Sequence, residues 1–217
     1  MFIGHFAVGL ASKHAAPKAS LGALLAAPLL LDLLWPIFLL LGWESVRIDP
    51  GNTPMTPLAF DSYPISHSLV ASIGWGALFA LVYWAITKYA TGAAVIFAGV
   101  VSHWVLDWAA HRPDMPLSPW GATKVGLGLW SSVAATVAVE AAMFGAGLWL
   151  YARATRSKDR TGTIAFWAFV IFVLASYAGA IFGPPPPDPH SLAVFSLGLW
   201  LFPLWALWFD GHRTAAT

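Results

Sequence analysis

The chain has 217 residues, of which 59% are hydrophobic and only 10% are charged, and it contains no cysteine. A soluble domain carries about 25% charged residues, so this composition excludes a soluble globular protein and a disordered chain, and the lack of cysteine excludes a disulfide scaffold. The 11 Lys and Arg residues and the 10 Asp and Glu residues give a net charge of +1, which excludes nucleic-acid binding through a basic surface. The composition therefore predicts an integral membrane protein with a single domain, residues 1–217.

Six segments have the length and apolar character of a membrane-spanning helix, which needs about 20 apolar residues to cross a bilayer core. In chain order they lie at about 19–43, 66–87, 90–109, 125–152, 161–183 and 190–209. Residues 2–12 are apolar but too short to span, and they lack the basic start of a signal peptide, so they predict a half-length or re-entrant helix. The expected fold class is an all-α polytopic membrane helix bundle with about six spans plus a short N-terminal half-helix.

Three connecting segments, 44–65, 110–124 and 183–190, fall on one side of the membrane when the spans alternate in direction. The opposite side holds eight of the 11 basic residues, which are Lys13, Lys18, Lys88, Arg153, Arg156, Lys158, Arg160 and Arg213. Because basic residues concentrate in cytoplasmic loops, this side is expected to be cytoplasmic and the three connecting segments extracytoplasmic.

Five ionisable residues lie within or at the edge of the hydrophobic segments, where such groups mark functional sites or buried pairs. They are Asp32, His67, His103, Asp107 and Glu140. No Lys or Arg side chain lies inside a predicted span, so the carboxyl groups either become neutral or bind a cation. A metal ion is the simplest partner that also explains the histidines.

The spacing of these residues favours a metal site over isolated hydrogen-bonded histidines. His103 and Asp107 are four residues apart on one predicted helix, so their side chains share a face. His67 opens the preceding span, Asp32 lies in the middle of the first span, and His5 lies near the N-terminus. Imidazole and carboxylate ligands suit Zn²⁺, with Mn²⁺ and Fe²⁺ as second choices.

Three other polar residues have weaker signals. His111 continues the face of His103 and Asp107, but it precedes a proline, so a role behind the ligands or in the loop is expected. Glu140 is far from the other motifs, and it either supports a ligand, handles a proton or, as we expect, is a neutral carboxyl group hydrogen-bonded between helices. Ser66 and His67 are adjacent, so their side chains are expected to point apart, and the chain has no G-x-S-x-G motif; both points argue against a serine hydrolase.

These motifs resemble those of the membrane-bound metal-dependent hydrolase family, which includes the LexA-binding inner-membrane type. The matching stretches are Gly4-His5, Asp32 in PLLLDLLW, SHSL at 66–69 and GVVSHWVLD at 99–107, so the resemblance covers about residues 3–120 and leaves the spans at 125–209 outside it. The H-R-G part of one family motif is replaced here by DSYPI. The resemblance implies an integral protein of a bacterial inner membrane.

That family is in turn similar to zinc-dependent phospholipase C and to related single-strand-specific nucleases, which are helical enzymes with clustered zinc. By this resemblance, Asp32, His67, His103 and Asp107 would surround one metal ion, and His5 would hold a second, with Asp107 bridging the two. One or two zinc ions are therefore expected.

The leading functional prediction is a metal-dependent hydrolase of a phosphoester in a lipid or lipid-linked substrate, which would reach the site from the membrane interface. A metal-activated water would attack phosphorus next to Asp107, and Arg112, with Arg47 or Lys124 as alternatives, would bind the phosphate. Asp61, Asp114 or a metal-bound water would supply a proton to the leaving oxygen. The expected partners are the lipid bilayer and this substrate, without nucleic acid, and the sequence predicts no particular oligomeric state.

Two other classes remain open. The spans contain prolines and carboxyl groups, a combination also found in ion-coupled transporters. A non-catalytic metal-binding membrane protein has the same residues. A metalloprotease ranks below both because the chain has no H-E-x-x-H motif.

Overall fold

The computed structural model describes residues 1–216 and is a helix bundle with six segments long and apolar enough to cross a membrane. The helices are α1 (Ile3–Ala15), α2 (Leu21–Leu40), α3 (Pro64–His67), α4 (Leu69–Thr87), α5 (Ala90–Ala110), α6 (Val133–Ala154), α7 (Arg160–Phe182), α8 (Pro189–Ser196) and α9 (Leu201–Gly211). The predicted fold class, an all-α membrane bundle with about six spans and a short N-terminal helix, is confirmed.

The fourth span begins later than the sequence predicted, at Val133 instead of about residue 125. Gly128 precedes it with φ of +77°, a left-handed conformation that interrupts a helix. Ser132 then caps α6, because its Oγ accepts the N–H of Ala135 at 3.3 Å. Hydropathy alone did not locate this start, since the residues before it are also largely apolar.

The sixth span, Pro189–Gly211, is not α-helical throughout, because a 3₁₀ turn at Leu197–Trp200 lies between α8 and α9. Pro203 lies in the first turn of α9 and has no N–H, so the carbonyl of Leu199 lacks its usual helical partner. The proline therefore accounts for the tighter turn between the two helices.

Three pairs of antiparallel strands lie at the two ends of the bundle in the described part of the chain. They are β1 (Ser45–Ile48) with β2 (Leu58–Ser62), β3 (Met115–Pro116) with β4 (Lys124–Val125), and β5 (Thr155–Ser157) with β6 (Arg213–Ala215). The first two pairs share one end, where Lys124 Nζ donates to the carbonyl oxygen of Asp61 at 3.3 Å. The third pair joins the C-terminal segment to the basic segment after α6. This pair lies at the end of the bundle that was predicted to be cytoplasmic.

The short helix α1 lies at the centre of the bundle, against α2, α5 and α6. Gly147 of α6 faces the backbone of Ala7, and Gly9 faces Leu25 of α2, so closely that a Cβ on either glycine would overlap with those atoms. Small residues that let backbones approach are typical of helix packing within membranes, where hydrophobicity does not distinguish helix contacts from lipid contacts. These glycines therefore allow α1 to enter the bundle.

Because α1 is too short to span, its N-terminus lies inside the bundle, where its first N–H groups need acceptors. Glu140 of α6 is fully buried and supplies one, since its Oε2 accepts the N–H of Gly4 at 3.1 Å. The predicted hydrogen bond of Glu140 between helices is present. Although Glu140 is far from the other motifs in the sequence, the structure brings it close to His5, because its partner Gly4 directly precedes that residue.

Candidate metal centre

Four helices bring the five predicted metal ligands together in one place. His5 comes from the first turns of α1, Asp32 from α2, His67 from the end of α3, and His103 and Asp107 from α5. Four of the five residues are buried, namely His5, His67, His103 and Asp107. The fifth is Asp32, whose side chain is 30% exposed. The cluster is therefore accessible from outside the protein at Asp32.

The ligand atoms form two overlapping groups, each with its atoms within 4.8 Å of one another. The outer triad consists of Asp32, His67 and His103, and the inner triad consists of His5, His103 and Asp107. In the outer triad, Asp32 Oδ1 lies 3.4 Å from His67 Nε2 and 3.8 Å from His103 Nε2. In the inner triad, Asp107 Oδ1 lies 3.1 Å from His5 Nε2, and Asp107 Oδ2 lies 3.0 Å from His103 Nε2.

The resemblance implied a different grouping, with four residues around one metal and Asp107 shared with a second. In the structure, His103 is the residue common to both triads. Its ring stacks on that of His5 with a centroid distance of 3.9 Å. Since a ring nitrogen has one lone pair, His103 Nε2 could bind only one ion at a time, so the two triads could not share it between two ions.

A backbone carbonyl determines the tautomer of His103. His103 Nδ1 lies 2.7 Å from the carbonyl oxygen of Pro28 in α2. Because a carbonyl oxygen only accepts, Nδ1 carries the hydrogen and Nε2 is left with its lone pair, as is usual for a metal-binding histidine.

His67 is oriented by a chain of hydrogen bonds that begins at Glu44. Glu44 is buried, and its carboxylate accepts the N–H groups of Ile65 and Ser66 at 2.8 Å and the hydroxyl of Ser66 at 2.6 Å. The Ser66 hydroxyl donates to Glu44, so its oxygen accepts the Nδ1 hydrogen of His67 at 2.7 Å. His67 Nε2 consequently faces Asp32 with its lone pair.

This contact corrects the expectation that Ser66 and His67 point apart. The helix α3 has only four residues and ends at His67, and Ser68 is already extended, so the ring is free to turn back towards its neighbour. Sequence reasoning also missed Glu44, although an acid directly after an apolar span was a usable signal. The Ser66 hydroxyl is held between Glu44 and His67 and supports the imidazole.

The contact between His103 and Asp107 requires a positive charge. With its hydrogen on Nδ1, a neutral His103 would direct the Nε2 lone pair at Asp107 Oδ2 across 3.0 Å, which is repulsive. His103 Nε2 is buried and has no hydrogen-bond partner among the described residues. Either a second proton on the imidazole or a cation between the two triads removes this repulsion, and the donor set fits a zinc ion.

Asp107 also contacts a positive group that the count of Lys and Arg side chains did not include. The amino group of Met1 donates to Asp107 Oδ1, and both groups are buried. The sequence analysis counted only Lys and Arg side chains and therefore did not foresee that a backbone amino group would pair with Asp107.

A second layer of polar residues lies behind Asp107. His111 directly follows α5, with Nε2 3.9 Å from Asp107 Oδ2 and Nδ1 2.9 Å from Asp114 Oδ1. Burial favours the neutral form of Asp114, but hydrogen bonds from His111 and Tyr63 and the charge of Arg112 outweigh it and hold the pKa of this carboxyl below its usual value. Asp114 is therefore ionised at neutral pH, and His111 lies behind the cluster as predicted.

The structure does not bring all three predicted catalytic residues to the cluster. Asp107 belongs to the inner triad, and Arg112 lies beside the second layer, with its Nε 3.3 Å from Asp114 Oδ2 and about half of its side chain exposed. Asp61 lies on β2, where Arg47 binds both of its carboxylate oxygens at 2.8 and 3.0 Å. Asp61 is thus engaged in an exposed ion pair outside both triads.

The fold and the site define a polytopic helical membrane protein with a buried cluster of histidine and aspartate. The family model of the YdjM inner membrane protein matches residues 63–183, more than half of the chain, and the chain belongs to this family. The matched part contains His67, His103 and Asp107, whereas His5 and Asp32 precede it. Searches of curated proteins and of solved structures found no match.

Family membership and the six apolar helices identify an integral protein of the inner membrane. This confirms the predicted inner-membrane family and location. Metal binding and hydrolase activity stay predictions.

Proposed function

We propose that this protein is a metal-dependent hydrolase of the inner membrane, with one zinc ion bound at the outer triad of Asp32, His67 and His103. The observation that carries this proposal is the position of His103 Nε2, which is buried, lacks a hydrogen-bond partner among the described residues and faces two carboxylates. The outer triad is preferred because catalytic zinc sites have three protein ligands and one open position, and Asp32 is partly exposed. The inner triad is fully buried, and its carboxylate already receives the Met1 amino group.

The proposed reaction is hydrolysis of a phosphoester. A zinc ion at this site would supply hydroxide at neutral pH and would offset negative charge on the phosphoryl oxygens. Asp107 Oδ2 lies 3.0 Å from His103 Nε2 and would accept the proton of the attacking water. We assign phosphate binding to Arg112, whose side chain is about half exposed beside Asp114 at the loop end of α5.

The two side chains predicted to give a proton to the leaving oxygen are poorly suited to that role. Asp114 is ionised, and Asp61 is paired with Arg47 outside the cluster. His111 lies between Asp107 and Asp114, and its Nδ1 is bound by Asp114, so Nε2 is the atom that would hold this proton. We therefore assign proton delivery to His111 instead of Asp61.

An apolar groove beside the site supports a lipid substrate. It has a volume of about 350 Å³ and is lined by Ile65, Ala71, Gly74, Trp75, Leu78 and Pro119. Ile65 lies two residues before His67, and Trp75 Nε1 donates to the Ile65 carbonyl oxygen at 2.9 Å, which fixes this wall to α3. Most of α4 is exposed, so the groove faces the acyl chains of the bilayer.

Metal analysis combined with an activity assay tests the proposal. Purified protein is expected to contain about one zinc ion per chain and to hydrolyse a phospholipid or a chromogenic phosphodiester in a chelator-sensitive manner. His103→Ala is expected to lose both zinc and activity, whereas His14→Ala, a change at an exposed histidine of α1, should retain both. Protein without a bound transition metal would refute the proposal.

Ion-coupled transport is the second candidate, and the structure of α2 favours it. Pro28 and Pro36 lie within this helix on either side of Asp32, and Pro36 leaves the carbonyl of Asp32 without its helical partner. Carboxylates in interrupted helices bind coupling ions in transporters. Proton- or sodium-driven uptake into proteoliposomes by metal-free protein would favour this candidate over the hydrolase.

A further inference from the structure

A second groove lies between α7 and α9 at the basic end of the bundle, with a volume of about 460 Å³. Its lining includes Arg160, Ile164, Ala165, Ala168, Trp205 and Trp208. Ala165 is a buried floor residue, whereas Ile164 and Trp208 are 66% and 54% exposed and form raised sides. A channel with an apolar floor and apolar sides fits a hydrocarbon chain.

Arg160 is the charged residue of this groove, at the first position of α7. Two aspartates lie near this groove in the described part of the chain, and both have other partners. Asp159 lies 2.8 Å from His212 Nδ1 and accepts the N–H of Gly162 at 2.9 Å, and Asp210 lies 2.7 Å from Lys13 Nζ. Within residues 1–216, the Arg160 guanidinium therefore has no carboxylate partner and is available to an anion.

We propose that this groove binds one anionic phospholipid of the cytoplasmic leaflet, with its phosphate on Arg160 and an acyl chain between Ile164 and Trp208. A guanidinium binds two phosphate oxygens at once, and aromatic residues such as Trp205 and Trp208 favour the headgroup level of a membrane. Eight of the 11 basic residues lie at this end, so an anionic headgroup is attracted there. The ammonium group of a zwitterionic lipid would meet the same positive charge.

This site is independent of the proposed hydrolase site, which lies among α1, α2, α3 and α5. Its test uses the full-length protein in nanodiscs with equal amounts of phosphatidylglycerol and phosphatidylcholine. Native mass spectrometry then counts the lipids that stay bound after detergent release. The wild-type protein is expected to retain one phosphatidylglycerol in preference to phosphatidylcholine.

The variant Arg160→Gln is expected to lower the retained phosphatidylglycerol about fivefold, the effect of one basic residue near an anionic membrane surface. Arg156→Gln is the matched control, because Arg156 is an exposed base on β5 that does not line the groove. Ala168→Trp fills the groove from an exposed position and should also reduce retention, whereas Ala178→Trp, on another exposed face of α7, should not. Equal retention in Arg160→Gln and Arg156→Gln, or equal retention of the two lipids by the wild type, would overturn the proposal.

Discussion

At the scale of single residues, the cluster depends on hydrogen bonds that decide which imidazole nitrogen is free. The Pro28 carbonyl does this for His103, and Ser66 with Glu44 does it for His67. In both rings Nδ1 is the nitrogen engaged by this partner, and Nε2 is the nitrogen that faces Asp32. Partners of this kind matter for metal affinity almost as much as the ligands do.

Ser66→Ala tests this orientation, because it removes the oxygen that accepts the Nδ1 hydrogen of His67. We expect zinc affinity to fall by about 10–100-fold, as measured by competition with a chromogenic chelator. Ser102→Ala is the control, since the Ser102 hydroxyl donates to the Gly99 carbonyl within α5 and touches neither triad. Equal affinities of the two variants would contradict the proposed chain from Glu44 to His67.

At the scale of elements, the position of α1 against α6 brings His5 to Asp107. A Cβ at Gly147 would overlap with the backbone of Ala7, whereas a Cβ at Gly145 on the same helix meets no atom within 4 Å. Gly147→Ala is therefore expected to lower the midpoint of thermal unfolding in detergent and to displace α1. Gly145→Ala is expected to be neutral or slightly stabilising, because alanine favours a helix by about 1 kcal/mol over glycine.

If both glycine variants unfold at the wild-type temperature, then α1 does not pack as closely on α6 as the structure indicates. Loss of zinc in Gly147→Ala alone would further show that the placement of α1 affects the site.

The lateral groove beside α4 supports another prediction at this scale. Gly74 lies in its lining, and a Cβ on this residue would meet no atom within 4 Å, so Gly74→Leu directs a larger side chain into open space and narrows the groove. We expect this variant to retain zinc and to hydrolyse a long-chain phospholipid more slowly, with little change for a short soluble phosphodiester. The ratio of the two rates measures the effect, and an unchanged ratio would argue against entry of lipid through this groove.

At the scale of the whole molecule, the carboxylate of Asp210 joins four helices at the basic end. It accepts Lys13 Nζ from α1 at 2.7 Å, the Leu21 N–H from α2 at 2.9 Å and the Tyr151 hydroxyl from α6 at 3.1 Å, while belonging to α9 itself. Lys13 is buried, and its ammonium group also donates to the carbonyl oxygen of Ala19 at 2.7 Å. Asp210 therefore connects the last span to the N-terminal half of the chain.

Asp210→Ala is expected to destabilise the protein by about 3–5 kcal/mol, because it leaves a buried ammonium group without its carboxylate. Denaturant unfolding in detergent measures the change. Asp188→Ala is the control, since Asp188 is an exposed carboxylate that caps α8 through the N–H of Ser191, and its loss should cost less. A larger effect at Asp188 than at Asp210 would contradict the role of this contact.

Local chemistry in the sequence was sufficient for several features. Hydropathy averaged over neighbouring residues located the six spans. The four-residue spacing of His103 and Asp107 placed both side chains on one face of α5. Hydropathy did not show that α6 begins at Val133 or that a 3₁₀ turn separates α8 from α9, because these features depend on the backbone at Gly128 and Pro203.

The sequence by itself determined the membrane location, the number of spans and the residues of the cluster, since scarce charge within apolar segments is visible without a fold. Only the tertiary structure decided how those residues group, which nitrogen of each histidine is free and which acceptor the N-terminus of α1 has. The contacts that decide these points join residues far apart in the chain, with separations of 75 for His103 and Pro28, 102 for His5 and Asp107, and 136 for Gly4 and Glu140. Such pairings follow from helix packing, which no local pattern in the sequence specifies.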